Sequence, residues 1–136
     1  MAAGDFIELP GLIVTVDRVL HQPHVATPPD RPHCFIYFIT IHNQSETAVT
    51  IKGRKWVVTN DHGEIVAVEG DGVVGQFPCI EPGSRFSYNS FHLLDTMKAT
   101  AEGSYIGVDA QGRRVLTRIP RFLMIVPEEP IRDAGK

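Results

Sequence analysis

Glycine and proline are scattered along the whole chain, and they limit what it can fold into. The 136 residues include 12 glycines and 10 prolines. Each proline removes a backbone donor and each glycine weakens a helix interior, so little uninterrupted sequence remains for long helices. Hydrophobic residues make up 43% and charged residues 21% of the chain, a balance typical of globular proteins. We therefore predict a single domain over residues 1–136, built mainly of strands.

Charge and cysteine content narrow the function classes. The formal net charge is -3, whereas a nucleic-acid-binding protein usually carries a basic excess or a dense basic face. The sequence has no apolar run near the ~18 residues that span a bilayer, and residues 1–5 lack the segments of a secretory signal. Cys34 and Cys79 are too few for a disulfide scaffold. These features predict a cytoplasmic protein that binds neither nucleic acid nor membrane.

Residues 35–43 are the strongest predicted strand. Its odd-numbered side chains, from Phe35 to Ile41, form one continuous apolar face, whereas Thr40 and His42 predict that the other face is partly exposed to solvent. Similar but weaker patterns predict strands at 12–20, 49–60, 65–68, 85–91 and 103–109, and a last strand pair within 115–126 that Pro120 interrupts.

Turn and loop signals separate these strands. Residues 21–32 hold four prolines and are predicted to form a loop or an extended edge segment. Residues 93–101 are ambiguous, and we interpret them as an irregular connection. We expect an ordered core over about residues 11–127 and a frayed tail over 128–136. About seven or eight short strands separated by such turns and loops predict an all-β antiparallel sandwich or barrel.

Gly70, Gly72 and Gly75 match the G-x-G-x-x-G pattern of dinucleotide-binding folds. That interpretation requires a helix that opens at the third glycine, but Gln76-Phe-Pro78 follows and leaves no room for one. The favoured interpretation is a glycine-rich connection between strands. The alternative is an anion-binding nest of backbone N–H groups, with Arg54 or Arg85 supplying the counter-charge to a phosphate or diphosphate ligand.

Three histidines suggest a metal hypothesis. His21 and His24 have H-x-x-H spacing, and His33 follows the proline-rich loop next to Cys34. Zinc sites need three or four ligands, often in short-spaced pairs, and adjacent strand residues such as His33 and Cys34 point to opposite faces. Surface histidines are therefore the favoured interpretation, with a metal site at His21, His24 and His33 as the alternative.

The sequence predicts no catalytic residue and no cofactor. There is no G-x-S-x-G elbow, and neither cysteine lies in a motif that suggests activation. Asp61-His62 lies at a predicted turn, which suits a surface position better than an oriented general base. We therefore expect a binding protein rather than an enzyme.

An ordered set of motifs resembles the ApaG family over about residues 12–126. Each motif is weak alone, but their order along the chain is specific. The motifs are Arg54-Lys-Trp56-Val-Val-Thr-Asn-Asp-His-Gly63, Val68-Glu-Gly-Asp-Gly-Val-Val-Gly-Gln76, Pro78, Glu81-Pro-Gly83, Phe86-Ser-Tyr88-Asn-Ser90, Gly103-Ser-Tyr105 and Ile119-Pro-Arg-Phe-Leu123.

The resemblance implies an immunoglobulin-like, fibronectin type III-like sandwich of two antiparallel sheets. Members of that family are small bacterial proteins without an established enzymatic activity. Their genes often accompany a diadenosine tetraphosphate hydrolase, and the family name is linked to cobalt and magnesium resistance. Related domains in F-box proteins and in a polymerase-interacting protein look like protein-interaction modules. The glycine motif has prompted a phosphate-binding proposal for the family.

Three hypotheses follow for the function. The leading one is a small binding module for an unidentified protein partner. The alternatives are a phosphate-containing ligand at Gly70–Gly75 and a role in divalent cation homeostasis. Pairing of an exposed edge strand with a second copy would give a homodimer, which the sequence leaves open.

The chain departs from the family pattern at two places. Lys55 stands where the family usually has a histidine, between Arg54 and Trp56. Met97, Ala99 and Ala101 stand where a proline, a glycine and a methionine are common. If the segment 97–101 forms a ligand or partner surface, we expect an altered specificity.

Overall fold

The computed structural model describes residues 6–128, and within that range it contains nine strands and no helix. No helix in this range is thus long and apolar enough to cross a membrane. The predicted frayed tail lies outside the described residues except for Glu128. In chain order the strands are β1 (Ile7–Glu8), β2 (Leu12–His21), β3 (His33–Asn43), β4 (Val49–Asn60), β5 (Ile65–Asp71), β6 (Cys79–Ile80), β7 (Arg85–Leu94), β8 (Lys98–Asp109) and β9 (Arg114–Ile125).

The strands form two sheets that pack face to face. The larger has the order β1-β9-β8-β4-β5, with β6 also paired to β4, and the smaller has the order β2-β3-β7. The long pairings are antiparallel, while the two-residue pairing of β1 with β9 is parallel. The predicted all-β sandwich is confirmed.

The apolar face predicted for β3 lies in the centre of the core. Phe35, Tyr37, Ile39 and Ile41 are each at most 4% exposed, and burying such side chains contributes roughly 1.5–3 kcal/mol apiece. On the opposite face Thr40 is also buried, and it hydrogen bonds to Asp17 and Ser87 on the flanking strands. That face is therefore less exposed to solvent at Thr40 than the alternation alone predicts.

Strand β4 changes its core-facing side chains at a β-bulge. Its register against β8 shifts between Ile51 and Gly53. A bulge inserts one extra residue and so reverses the alternation of the side chains. Ile51 faces the core before the bulge, and Trp56 faces it afterwards. Arg54 is consequently on the inner face of the sheet, directly opposite the buried Tyr105 of β8.

Two expectations about the connections are wrong. Residues 93–101 are not an irregular connection, because β7 continues to Leu94 and β8 begins at Lys98. Residues 115–126 do not form a strand pair, because β9 runs continuously through Pro120. The register of β9 against β8 shifts between Ala101 and Gly103, and at such a bulge the missing N–H of a proline breaks no ladder hydrogen bond.

The smaller sheet covers the larger one incompletely. Strand β2 packs on β9, and β7 lies over β4, where the rings of His92 and Trp56 have centroids 4.7 Å apart. In the larger sheet β5 follows β4, whereas β7 is the last strand of the smaller sheet. Strand β5 therefore extends beyond the region that the smaller sheet covers. Every side chain of β5 is accordingly exposed or half-buried.

Candidate functional site

A cleft of about 270 Å³ opens where β5 extends past β7. Val66 and Val68 of β5 pair with Val58 and Trp56 of β4, so they face the inner side of the sheet, yet they are 60% and 47% exposed. The cleft is lined by Arg31, Tyr37, Arg54, Trp56, Val58, Val66, Val68, Ser90, Phe91, His92 and Leu93.

Arg54 supplies positive charge to this cleft. Its Nη1 donates to the main-chain oxygens of Asp71 at 2.9 Å and Gly72 at 3.2 Å. The guanidinium lies directly over Gly70, where a Cβ would be 2.7 Å from Nη1. Within residues 6–128 the structure gives no hydrogen bond from Nε or Nη2 of Arg54. Those nitrogens can therefore donate to an acceptor on a ligand.

Two ring nitrogens in the cleft wall are buried without a hydrogen-bond partner. They are Trp56 Nε1 and His92 Nε2. Trp56 is only 3% exposed, and a buried N–H without an acceptor costs roughly 1–3 kcal/mol. Burial lowers the pKa of His92 to about 4, so its ring is neutral at neutral pH. Buried polar groups without partners are few in native proteins and call for an explanation.

Three tyrosines lie beneath the cleft and join the two sheets. The hydroxyl groups of Tyr88 on β7 and Tyr105 on β8 hydrogen bond across the sandwich, and the ring of Tyr37 packs against Trp56 with centroids 4.9 Å apart. Burial raises the pKa of all three hydroxyl groups, an effect that the positive charge of Arg54 opposes. These tyrosines are therefore neutral at neutral pH and act as hydrogen-bonding groups.

The glycine motif forms a tight turn that follows β5. Val73 and Gln76 exchange two main-chain hydrogen bonds of 2.8 and 2.9 Å around Val74 and Gly75, both of which have positive φ. This is the geometry of a two-residue type I′ hairpin. The N–H of Gly72 donates to the oxygen of Lys52 at 2.8 Å. Two amides of the predicted anion-binding nest, those of Gly72 and Val73, thus already have protein acceptors.

The structure brings Arg54 to this turn and places Arg85 elsewhere. Arg54 covers Gly70 and binds the oxygen of Gly72. Arg85 begins β7 opposite His42 of the smaller sheet and is exposed, whereas the next residue, Phe86, packs on the core. Since alternate strand residues face opposite sides, Arg85 points to the outer face, away from the inner face on which Arg54 lies.

Two of the three histidines of the metal hypothesis are neighbours. The rings of His21 and His33 have centroids 6.4 Å apart, and burial together with His33 lowers the pKa of His21. His24 lies in the exposed loop after β2. Within residues 6–128 no group of three or more His, Cys, Asp and Glu side chains is arranged to hold a metal ion.

Comparison with known proteins identifies the family. The ApaG domain profile matches residues 23–109, more than half of the chain. The chain belongs to the ApaG domain family. It is 42% identical over 102 residues to Protein ApaG of Proteus mirabilis, covering 75% of this chain and 82% of the relative. It is 39% identical over 120 residues to Protein ApaG of Deinococcus radiodurans, covering 88% and 91%.

A solved structure agrees with the ApaG assignment. The crystal structure of an ApaA protein from Bordetella pertussis superposes with a TM-score of 0.79 at 29% sequence identity. The match covers 90% of this chain and 99% of the other. The likeness therefore extends over most of the chain.

The departures from the ApaG pattern lie outside the cleft lining. Lys55 is exposed, and its Nζ lies 3.9 Å from a carboxylate oxygen of Glu69. Ala99 and Ala101 are buried in the core, while Met97 is exposed in the turn between β7 and β8. Of these positions, Lys55 and Met97 present large side chains at the surface.

Sequence reasoning missed His92, Ser90 and Tyr37 as parts of one site. The alternation within β7 and β3 predicts that these side chains face inward, but it does not indicate which of them lie at the uncovered edge. That position depends on how far the smaller sheet extends, which no local pattern encodes.

Proposed function

We propose that this ApaG domain is a non-enzymatic binding module whose partner is another protein. The observation that supports this most directly is the uncovered inner face of β5 beside the edge of β7. The smaller sheet ends at β7, while the larger sheet continues to β5. A further strand at the edge of β7 would lie over β5 and cover Val66 and Val68.

An extended segment of a partner has the right shape for this position. An edge strand presents unpaired main-chain N–H and C=O groups, and strand addition is a common mode of peptide recognition. Burying the exposed valines and Phe91, which is also exposed, would add roughly 25 cal/mol per Å² of apolar surface removed from water. Main-chain pairing and apolar contact would thus act together.

The other hypotheses have less support. A phosphate at Gly70–Gly75 would meet a turn whose amides at Gly72, Val73 and Gln76 already have acceptors. A divalent cation would find His21 and His33 without a third ligand among the described residues. A two-fold dimer through the cleft would bring two arginine-lined surfaces together, since such interfaces are self-complementary.

We also propose a cytoplasmic location, with neither nucleic acid nor membrane as partner. Cys34 and Cys79 are both free thiols, as expected in a reducing compartment. The net charge of -3 disfavours binding to polyanions.

Site-specific photo-crosslinking in cells tests the partner surface. A benzophenone amino acid at Val66 should give a discrete protein adduct. The matched control is Leu123, which is 56% exposed on the outer face of the same sheet. An adduct at position 66 that is absent at position 123 supports the proposal. Equal adducts at both positions, or none at position 66, contradict it.

A further inference from the structure

We propose that the cleft beside β7 recognises a carboxylate side chain on the extended partner segment, with the Nε and Nη2 groups of Arg54 as its donors. This inference rests on the proposed function and adds the chemistry of the residue that enters the cleft. It places the anion on the inner face of the sheet rather than in the glycine turn.

The donors belong to Arg54, and they lack other acceptors among residues 6–128. Trp56 Nε1 is buried beneath the cleft lining beside Tyr37, out of reach of a ligand, so it contributes no donor. Arg54 uses Nη1 on the oxygens of Asp71 and Gly72, which fixes the guanidinium while Nε and Nη2 stay open. Arg54 lies on the inner face of the larger sheet, as do the exposed Val66 and Val68, so a strand beside β7 can bring a carboxylate to it.

The charge of the cleft favours an anionic group. Two arginines, Arg31 and Arg54, are among its lining residues, and none of those lining residues is Asp or Glu. A carboxylate would therefore meet positive charge without a competing acid among the lining residues. Charge-assisted hydrogen bonds of this kind are roughly twice as strong as neutral ones.

The walls favour a carboxylate on a peptide over a free phosphate. Val58, Val66 and Val68 are among the residues that line the cleft. Such apolar surface suits the aliphatic stem of a glutamate and the neighbouring side chains of an extended strand. A fully hydrated phosphate would gain little from it and would lose water at these walls.

Peptide titration followed by NMR tests the inference directly. The probe is acetyl-Thr-Val-Glu-Val-Thr-amide, and its matched neutral control carries glutamine in place of glutamate. The chain has a single tryptophan, so the indole N–H signal reports on Trp56 alone. The glutamate peptide should shift this signal at a concentration about tenfold lower than the glutamine peptide, as expected for losing a charged hydrogen bond.

Two variants assign the preference to the cleft. Arg54→Gln should remove most of the glutamate preference, whereas Arg85→Gln, the same change on the outer face of the other sheet, should preserve it. Because Arg54 also holds the glycine turn, Arg31→Gln provides a second variant in the exposed loop and should weaken binding of the glutamate peptide by a few-fold.

The outcomes separate this inference from the proposed function. No shift, an equal shift with both peptides, or an equal shift with inorganic phosphate overturns the carboxylate assignment. If the crosslink at position 66 persists in that case, the partner surface stands without it. If the peptide binds but position 66 gives no adduct, the carboxylate does not come from a partner protein. The inference then fails as well, because it assigns the carboxylate to a partner segment.

Discussion

At the scale of single residues, His92 is a buried ionisable group in the cleft wall. Its Nε2 has no hydrogen-bond partner, and its ring packs against Tyr37 and Trp56 with centroid distances of 4.7 Å to each. Burial lowers its pKa from 6.5 to about 4. The unfolded chain therefore binds more protons than the folded chain between those two pH values, and the free energy of unfolding falls as the pH falls.

Replacing His92 with phenylalanine should remove this pH dependence. Between pH 6.5 and pH 4 the free energy of unfolding of the wild-type domain should fall by up to about 3 kcal/mol relative to that of His92→Phe. Above pH 6.5 the difference between the two proteins should not change with pH. Urea unfolding at a series of pH values measures the difference. His21, whose pKa is also lowered, contributes equally to both proteins and cancels. Parallel stability curves would show that His92 is not the titrating group.

Two glycines of the turn after β5 should differ in their tolerance of a side chain. Gly72 and Gly75 both have positive φ, but a Cβ at Gly72 would lie 2.4 Å from the oxygen of Gln76, whereas Gly75 faces open space. We expect Gly75→Ala to cost about 1 kcal/mol for its backbone conformation alone. Gly72→Ala adds a main-chain clash and should cost at least twice as much or prevent folding. Equal losses in urea unfolding would contradict the turn geometry.

At the scale of elements, the turn between Val73 and Gln76 contains a strained residue. Val74 has a φ of 43°, in a type I′ turn whose first central position favours Asn, Asp or Gly. The sequence identified the glycines of this segment but not the turn, because a β-branched residue at that position argues against it. The strain is therefore visible only in the folded chain.

Replacing Val74 with asparagine should stabilise the domain. Asparagine tolerates positive φ, so the free energy of unfolding should rise by about 1 kcal/mol. Val25→Asn is the matched control, since Val25 is 47% exposed and Val74 is 46% exposed. Val25 is not among the residues with positive φ, so its replacement should have little effect. Thermal unfolding of both variants measures this, and an unchanged or lower stability of Val74→Asn would refute the strain.

Element boundaries explain most of what the sequence predicts and what it misses. Strand β3 is predictable because its alternation is unbroken from Phe35 to Ile41. In β4 the bulge after Ile51 reverses the alternation, so continuing the pattern from Ile51 assigns Arg54 to the outer face. The sequence predicts that the strand ends at Pro120, but β9 continues through this residue because the bulge in the β8–β9 pairing accommodates the proline.

At the scale of the whole molecule, the two sheets differ in extent, and the cleft follows from that difference. The motifs of the ApaG family predict the sandwich, since they lie on the strands that form it. They do not predict that the smaller sheet ends at β7 while β5 continues beyond it. An uncovered apolar face beside an open edge is the property from which the proposed binding function follows.

Competition at the cleft tests that central claim most directly. The benzophenone derivative at position 66 should form its adduct in lysate, and acetyl-Thr-Val-Glu-Val-Thr-amide should suppress the adduct at a concentration about tenfold lower than its glutamine counterpart. Such suppression is expected if a carboxylate-bearing strand of the partner occupies the place beside β7. An adduct that persists at saturating concentrations of the glutamate peptide would contradict the account.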